Sequence, residues 1–220
     1  MALILNIDSS MQESSVSIAR GGSMLQHLTN SSQKDHAAFL HVAVKELLED
    51  SALSPADLDA VAVTAGPGSY TGLRVGFAAA KGLSYALHKP LISISTTEVL
   101  AESVRILYPY GDYYCPMIDA RRNEVFTATY NRELKEVKSP HAMIVNESSF
   151  NFFPEPAQVY FFGNGAWKWE KISNASSNFF PETGNVYTAI AALSHKYFSE
   201  KKFADINYSV PLYGKEFYTG

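Results

Sequence analysis

The sequence predicts an α/β protein of two lobes built to one plan, and three observations carry that prediction. The first 50 residues read as three strands and a helix. Residues 59 to 95 read as strand, glycine turn, helix and strand, which is a parallel crossover. Finally, PMIDARRNEVFTATY (116–130) can be laid over LNIDSSMQESSVSIA (5–19) so that Asp119 falls on Asp8. Each of these aspartates ends an apolar run ahead of a polar turn and an alternating strand.

LILNID (3–8) is apolar and bounded by a polar turn, and SSVSIAR (14–20) places Val16 and Ile18 on one face, so the two form a hairpin. After the Gly21-Gly22 turn, MLQHLT (24–29) gives a third strand. SSQKDHAAFLHVAVKELLED then offers Ser or Asp caps ahead of a helix from about Ala37 to Asp50. DAVAVTA (59–65) is a β-branched strand, a helix covers about 71–87, and PLISIS (90–95) is the next strand. In the second half, VYFFGNGAWKW (159–169) is a buried strand entering an Asn-Gly turn, while SPHAMIVNESSFNFFPEPAQ reads as loop with one short element. YTAIAALSHKYFSEKKF (187–203) is an amphipathic helix with Ile190, Leu193 and Tyr197 on one stripe. The expected division is a first lobe over 1–99, a second over 100–203 and a polar tail over 204–220.

A chain of 220 residues that is 46% hydrophobic can bury one sizeable core or two small ones. A net charge of −4 without runs of like charge argues against a chain that grips nucleic acid by itself, so RNA would be reached through a partner. The single cysteine, Cys115, cannot form an internal disulfide and reads as a strand residue of the core, which suits a reducing compartment. The opening MALILNIDSS lacks a basic segment and meets an aspartate early, so neither a signal peptide nor a membrane span is expected. The expected location is cytoplasmic, with no membrane partner.

The chemistry turns on VTAGPGSYTGLRVGFAAAKGLSYA (63–86). A nucleotide P-loop needs Lys and Ser/Thr directly after its last glycine, and here Gly72 precedes Leu73 and Arg74. The spacing of Gly66, Gly68 and Gly72 is one residue too long for the dinucleotide fingerprint. Two readings remain: amides at a helix N-terminus that hold an anion, or glycines that supply unusual backbone angles. Asp8, Ser9 and Ser10 form a weak candidate phosphate-binding hairpin for a nucleotide, with Asp119 as a second carboxylate. His36 and His41 are five apart and point to different helix faces, unlike a metal pair. No G-x-S-x-G elbow, C-x-x-C pair or acid–base couple is present, and no metal is expected.

Gly72, Gly76 and Ala80 recur every four residues, with Ala79, Gly82 and Ala86 close by, so much of that helix is bare backbone. Glycine inside a helix costs about 1 kcal/mol relative to alanine, a cost tolerated where something approaches closely. The preceding helix carries Phe39, Ala43 and Leu47 in one row, Leu40, Val44 and Leu48 in another, and Ala38 and Val42 on a third side. Either the pair is buried within its own fold, or Phe39, Ala43, Leu47, Gly72, Gly76 and Ala80 build a subunit interface.

The motifs ILNIDSS, DHAAFLHVAVKELL, AVAVTAGPGSYTGLRVGFAAAKGLSYAL, ISISTTEVLA and MIDARRNEVF, in this order, resemble the bacterial TsaB family. TsaB proteins, also called YeaZ and formerly labelled glycoprotease-like, belong to tRNA threonylcarbamoyladenosine biosynthesis. The resemblance is strong from residue 3 to about 130, and VPLYGKEF departs from the family's usual ending. It implies a degenerate actin-like, sugar-kinase/Hsp70 ATPase-type (ribonuclease H-like) fold without the metal-binding histidine pair of the catalytic relative, TsaD. It also implies a non-catalytic subunit that pairs with the TsaD-type homologue, works with a TsaE-type ATPase and forms a homodimer when alone. A small-molecule kinase or nucleotide-binding protein of the same fold is the alternative, and it would need an intact adenosine site and a catalytic aspartate.

Overall fold

The computed structural model describes residues 1–31, 36–174 and 176–214, with side chains in the second stretch from Ala38 onward. The expected caps Ser32 and Asp35, the side chain of His36, and the end of VPLYGKEF lie outside the described residues.

Two units share the chain: residues 1–96 with 187–212, and residues 97–186 with the segment from Tyr213. In the first, β1 (Leu3–Asp8), β2 (Ser14–Arg20), β3 (Ser23–Asn30), β4 (Ala60–Thr64) and β5 (Leu91–Ile94) form a sheet of order β3-β2-β1-β4-β5. The β1–β2 and β2–β3 pairs are antiparallel, and β4 runs parallel to both β1 and β5. Nearly every residue of β1, β2 and β4 is buried, which explains why β1 and β4 read as apolar runs, whereas β3 alternates in burial as an edge strand does. Helices α1 (His36–Asp50) and α2 (Tyr70–Leu87) pack on this sheet around Leu5, Ile7, Val16, Leu40, Leu47 and Phe77. The Ser69 hydroxyl caps α2 by accepting the Gly72 N–H, and His88 ends it in the left-handed region at φ 53°.

In the second unit, β6 (Tyr113–Asp119), β7 (Glu124–Asn131), β8 (Glu136–Ile144), β9 (Val159–Phe162) and β10 (Asn178–Phe179) form a sheet of order β10-β9-β6-β7-β8. Read from its first strand, this repeats the plan of the first sheet: three antiparallel strands, then two added in parallel on the other side of the first. Asp8 and Asp119 are the last residues of β1 and β6, so the internal repeat read from the hairpins extends to both sheets. Helices α3 (Thr96–Leu107) and α4 (Trp167–Glu170) complete this unit.

Four elements differ from expectation. Strand β8 forms in a stretch read as loop because, as an edge strand, it holds only exposed and half-buried residues and shows no apolar alternation. Helix α3 follows β5 directly and has no breaker before it, and β10 is too short to leave a pattern. Helix α5 (Val186–Ser199) returns to the first unit and does not close the second. Tyr187 stacks on His27 at 4.4 Å, and the His195 ring fills the space beside Gly22. The expected boundaries at 99/100 and 203/204 therefore give way to an interleaved division.

Candidate functional site

The glycine turn leads from β4 into α2 and lies directly against the end of β1. A Cβ at Gly68 would strike the Ser10 carbonyl oxygen, and one at Gly72 the Ser9 carbonyl oxygen. The Ser69 N–H donates to the Ser10 carbonyl at 2.7 Å, and the Ser9 hydroxyl donates to the Gly72 carbonyl at 2.7 Å. Gly66 has φ +106°, and the Leu212 N–H donates to the Ala65 carbonyl at 2.6 Å, so the segment after α5 covers the turn. Asp8 Oδ1 accepts the Ser10 N–H, the Ser10 hydroxyl and the Thr64 hydroxyl at 2.9, 2.7 and 2.6 Å. Tyr187 donates to Glu13 on the same hairpin, and burial first, then that carboxylate, holds its hydroxyl pKa well above the ordinary range. Asp8, Ser9 and Ser10 thus spend their polar groups on locking the hairpin to the turn. With the Ser9 and Ser10 carbonyls packed against the glycine turn and Asp8 Oδ1 holding three donors, these residues form a structural lock and not a free phosphate-binding hairpin.

The equivalent position in the second unit is paired differently. Asp119 Oδ1 accepts from Lys168 Nζ at 2.6 Å, and the same ammonium donates to the Glu124 carbonyl at 2.8 Å. The Lys168 side chain is 5% exposed, and its hydrogen bond holds the Asp119 carboxyl below the usual carboxylate range. Lys168 carried no signal in the sequence as a partner, because 49 residues separate it from Asp119. Among the described residues, no group of three His, Cys, Asp or Glu side chains gathers as metal ligands, and no helix is long and apolar enough to cross a membrane.

The structure corrects the interface residues read from the helices. Ala43, Leu47 and Ala80 are at most 1% exposed, Gly72 and Gly76 are buried, and Phe39 packs half-buried against the same core. Gly76 lacks a side chain because Ser9 Oγ occupies the place of its Cβ. These six residues belong to the interior of the first unit. The face that α1 and α2 turn outward is the next one round: a groove of about 400 Å³ lined by His41, Val75, Ala78, Ala79, Gly82 and Leu83. Val42 and Tyr85 beside it are 62% and 72% exposed. A Cβ at Gly82 would meet nothing within 4 Å, so nothing inside the first unit requires a glycine there.

The sequence profile described as "TsaD: tRNA N6-adenosine threonylcarbamoyltransferase" matches residues 24–210, from β3 to beyond α5. The chain belongs to the TsaD family. Within that family it is similar to the tRNA threonylcarbamoyladenosine biosynthesis protein TsaB of Bacillus subtilis, 35% identical over 127 residues, covering 58% of this chain and 54% of that protein. It is also similar to the tRNA N6-adenosine threonylcarbamoyltransferase of Anaplasma marginale, 34% identical over 120 residues, covering 48% of this chain and 35% of that one. The match spans about half the length of the TsaB relative. Among solved structures, YeaZ from Pseudomonas aeruginosa superposes with a TM-score of 0.81 at 22% identity, over 97% of this chain and 100% of that one. The TsaB resemblance read from the motifs and the actin-like α/β fold it implied are both borne out.

Proposed function

We propose that this chain is the non-catalytic partner of a TsaD-type homologue in adding threonylcarbamoyl to adenosine 37 of tRNAs that read codons starting with A. The observation that carries the proposal is the open groove between α1 and α2. A helix spends about 1 kcal/mol to hold a glycine in its interior, and Gly82 has no internal neighbour that repays it. Ala78, Ala79 and Gly82 leave backbone bare where another helix can come close. The matched TsaD region includes both helices, so a family member offers a corresponding pair, and two such pairs can meet about a pseudo-two-fold axis. The same geometry serves a homodimer when the catalytic homologue is missing.

The internal pairing of Asp8 and Asp119 supports the accessory role, since the inward oxygens of both carboxylates are committed to the fold. It also weighs against the small-molecule kinase alternative, which needs an open phosphate site. A TsaE-type ATPase and the tRNA are then met by the assembled complex in the cytoplasm. Sedimentation of the chain mixed with its host's TsaD homologue tests the reading. The unaltered proteins should co-sediment, and Ala78→Arg should abolish association while the variant stays folded. Two species that sediment independently would overturn the proposal.

A further inference from the structure

We propose that the β6–β7 hairpin tip, together with Trp167, is an RNA-contacting surface that takes a phosphate and a stacked base of the tRNA; this rests on the accessory reading above. The tip places Arg121 and Arg122 consecutively at φ 70° and 48°, a region that L side chains other than Asn and Asp seldom adopt. Asn or Gly would hold this turn more easily, so the backbone itself does not call for arginine at either position. Backbone bonds fix the tip, among them the Arg121 N–H to Asp119 Oδ1 at 2.7 Å, the Glu124 N–H to the Arg121 carbonyl at 3.0 Å and the Ala120 N–H to the Glu124 carbonyl at 3.1 Å. The charge of Asp119 is met from inside by Lys168. Among the described residues, neither guanidinium has an ion pair or hydrogen bond.

A planar side chain follows on the turn that packs against the end of β6. The Asp119 N–H donates to Asn164 Oδ1 at 2.8 Å, and at Gly165 a Cβ would lie 3.0 Å from the Asp119 nitrogen, so the turn after β9 abuts the hairpin. Trp167 follows at the start of α4, 46% exposed, with Lys171 Nζ 4.3 Å from its ring centroid. Guanidinium forks match phosphate geometry, and an exposed indole beside cations offers a stacking face to an unpaired base whatever its identity. An acidic peptide would use the charges and leave the indole idle. With a net charge of −4 the whole chain cannot hold RNA by this patch alone, so its effect is sought in the complex.

The test measures binding of an unmodified anticodon stem–loop RNA to the complex with the TsaD homologue, across a salt series. R121Q/R122Q should weaken binding about tenfold at physiological salt and reduce the slope of log K against log salt by about 0.7, the value for one phosphate contact in a single strand. W167A should weaken binding with little change in slope. R121G/R122G, which relieves the backbone, should lose RNA affinity equally while melting no lower than the unaltered chain. Unchanged RNA affinity in an intact complex would overturn this inference alone. Weakened assembly with unaltered RNA binding would also overturn it, and would assign the tip to an acidic protein surface. Failure of the unaltered chain to join its homologue would remove the accessory reading and this one together.

Discussion

Gly76 and Gly82 lie six residues apart on α2, and the structure predicts opposite outcomes for the same substitution. At Gly82 an added methyl enters open space, so Gly82→Ala gains about 1 kcal/mol of helix propensity. For a chain of this size that raises the melting temperature by about 2–4 °C. At Gly76 the methyl meets Ser9 Oγ, whose hydroxyl donates to the Gly72 carbonyl at 2.7 Å. Overpacking costs about 1–3 kcal/mol and the lost bond about 0.5–1.5, set against the same gain of about 1. Gly76→Ala therefore destabilises by about 0.5–3.5 kcal/mol. In the complex the order changes: Gly82→Ala, the stabler monomer, should associate more weakly with the TsaD homologue, and Gly82→Arg should not associate at all. Thermal melting of each variant, paired with sedimentation of each mixture, reads both effects. A Gly82→Ala variant that melts lower, or a Gly82→Arg variant that assembles as tightly as the parent, would refute the reasoning.

Other consequences can be measured on the chain alone. Gly68→Val should lower thermal stability and partner binding together, because the Ser10 carbonyl must move; full stability with lost nucleotide binding would point to a phosphate cradle instead. Asn6 is 1% exposed with neither amide atom hydrogen-bonded among the described residues, so Asn6→Val should stabilise by about 1–3 kcal/mol in denaturant titration, and a loss would reveal a role for the amide. Burial pushes the Cys115 thiol up to about 12, so thiol reagents at pH 8 should label it only as fast as the second unit opens. Lys168 holds the Asp119 carboxyl below its ordinary value of 3.8, so the pair's contribution is present above that pH and is lost as pH falls through the lower folded value. The stability gap between the parent and Asp119→Asn should accordingly hold constant down to about pH 4 and narrow below it, and a gap that stays constant there would place the acid-sensitive group elsewhere.

The sheets were legible wherever strands were buried on both faces, as LILNID and AVAVT are, because burial writes apolar runs into sequence. Edge strands β8 and β10 were not, since β8 holds only exposed and half-buried residues and β10 is two residues long. The small-residue face of α2 was legible as a place of close approach, but periodicity alone does not say what approaches. Gly72 and Gly76 face Ser9, at the end of a strand more than 60 residues earlier. Gly82 faces nothing, and a helical wheel offers no means of telling the two apart. The same limit hid Lys168, which became visible only when α4 was folded against the end of β6.

The two units keep one topology and treat the aspartate at the end of the first strand in different ways. Asp8 gathers three donors from its own hairpin and from β4, and Asp119 takes a buried ammonium from α4. Either arrangement stabilises the hairpin without a ligand, and either makes an inward carboxylate oxygen costly to recruit for another purpose, because its donors would be left unpaired in the interior. Free features lie outside these positions: the guanidinium tips of Arg121 and Arg122, and the apolar groove beside Gly82. Committed carboxylates and outward-facing free features support the proposed accessory role.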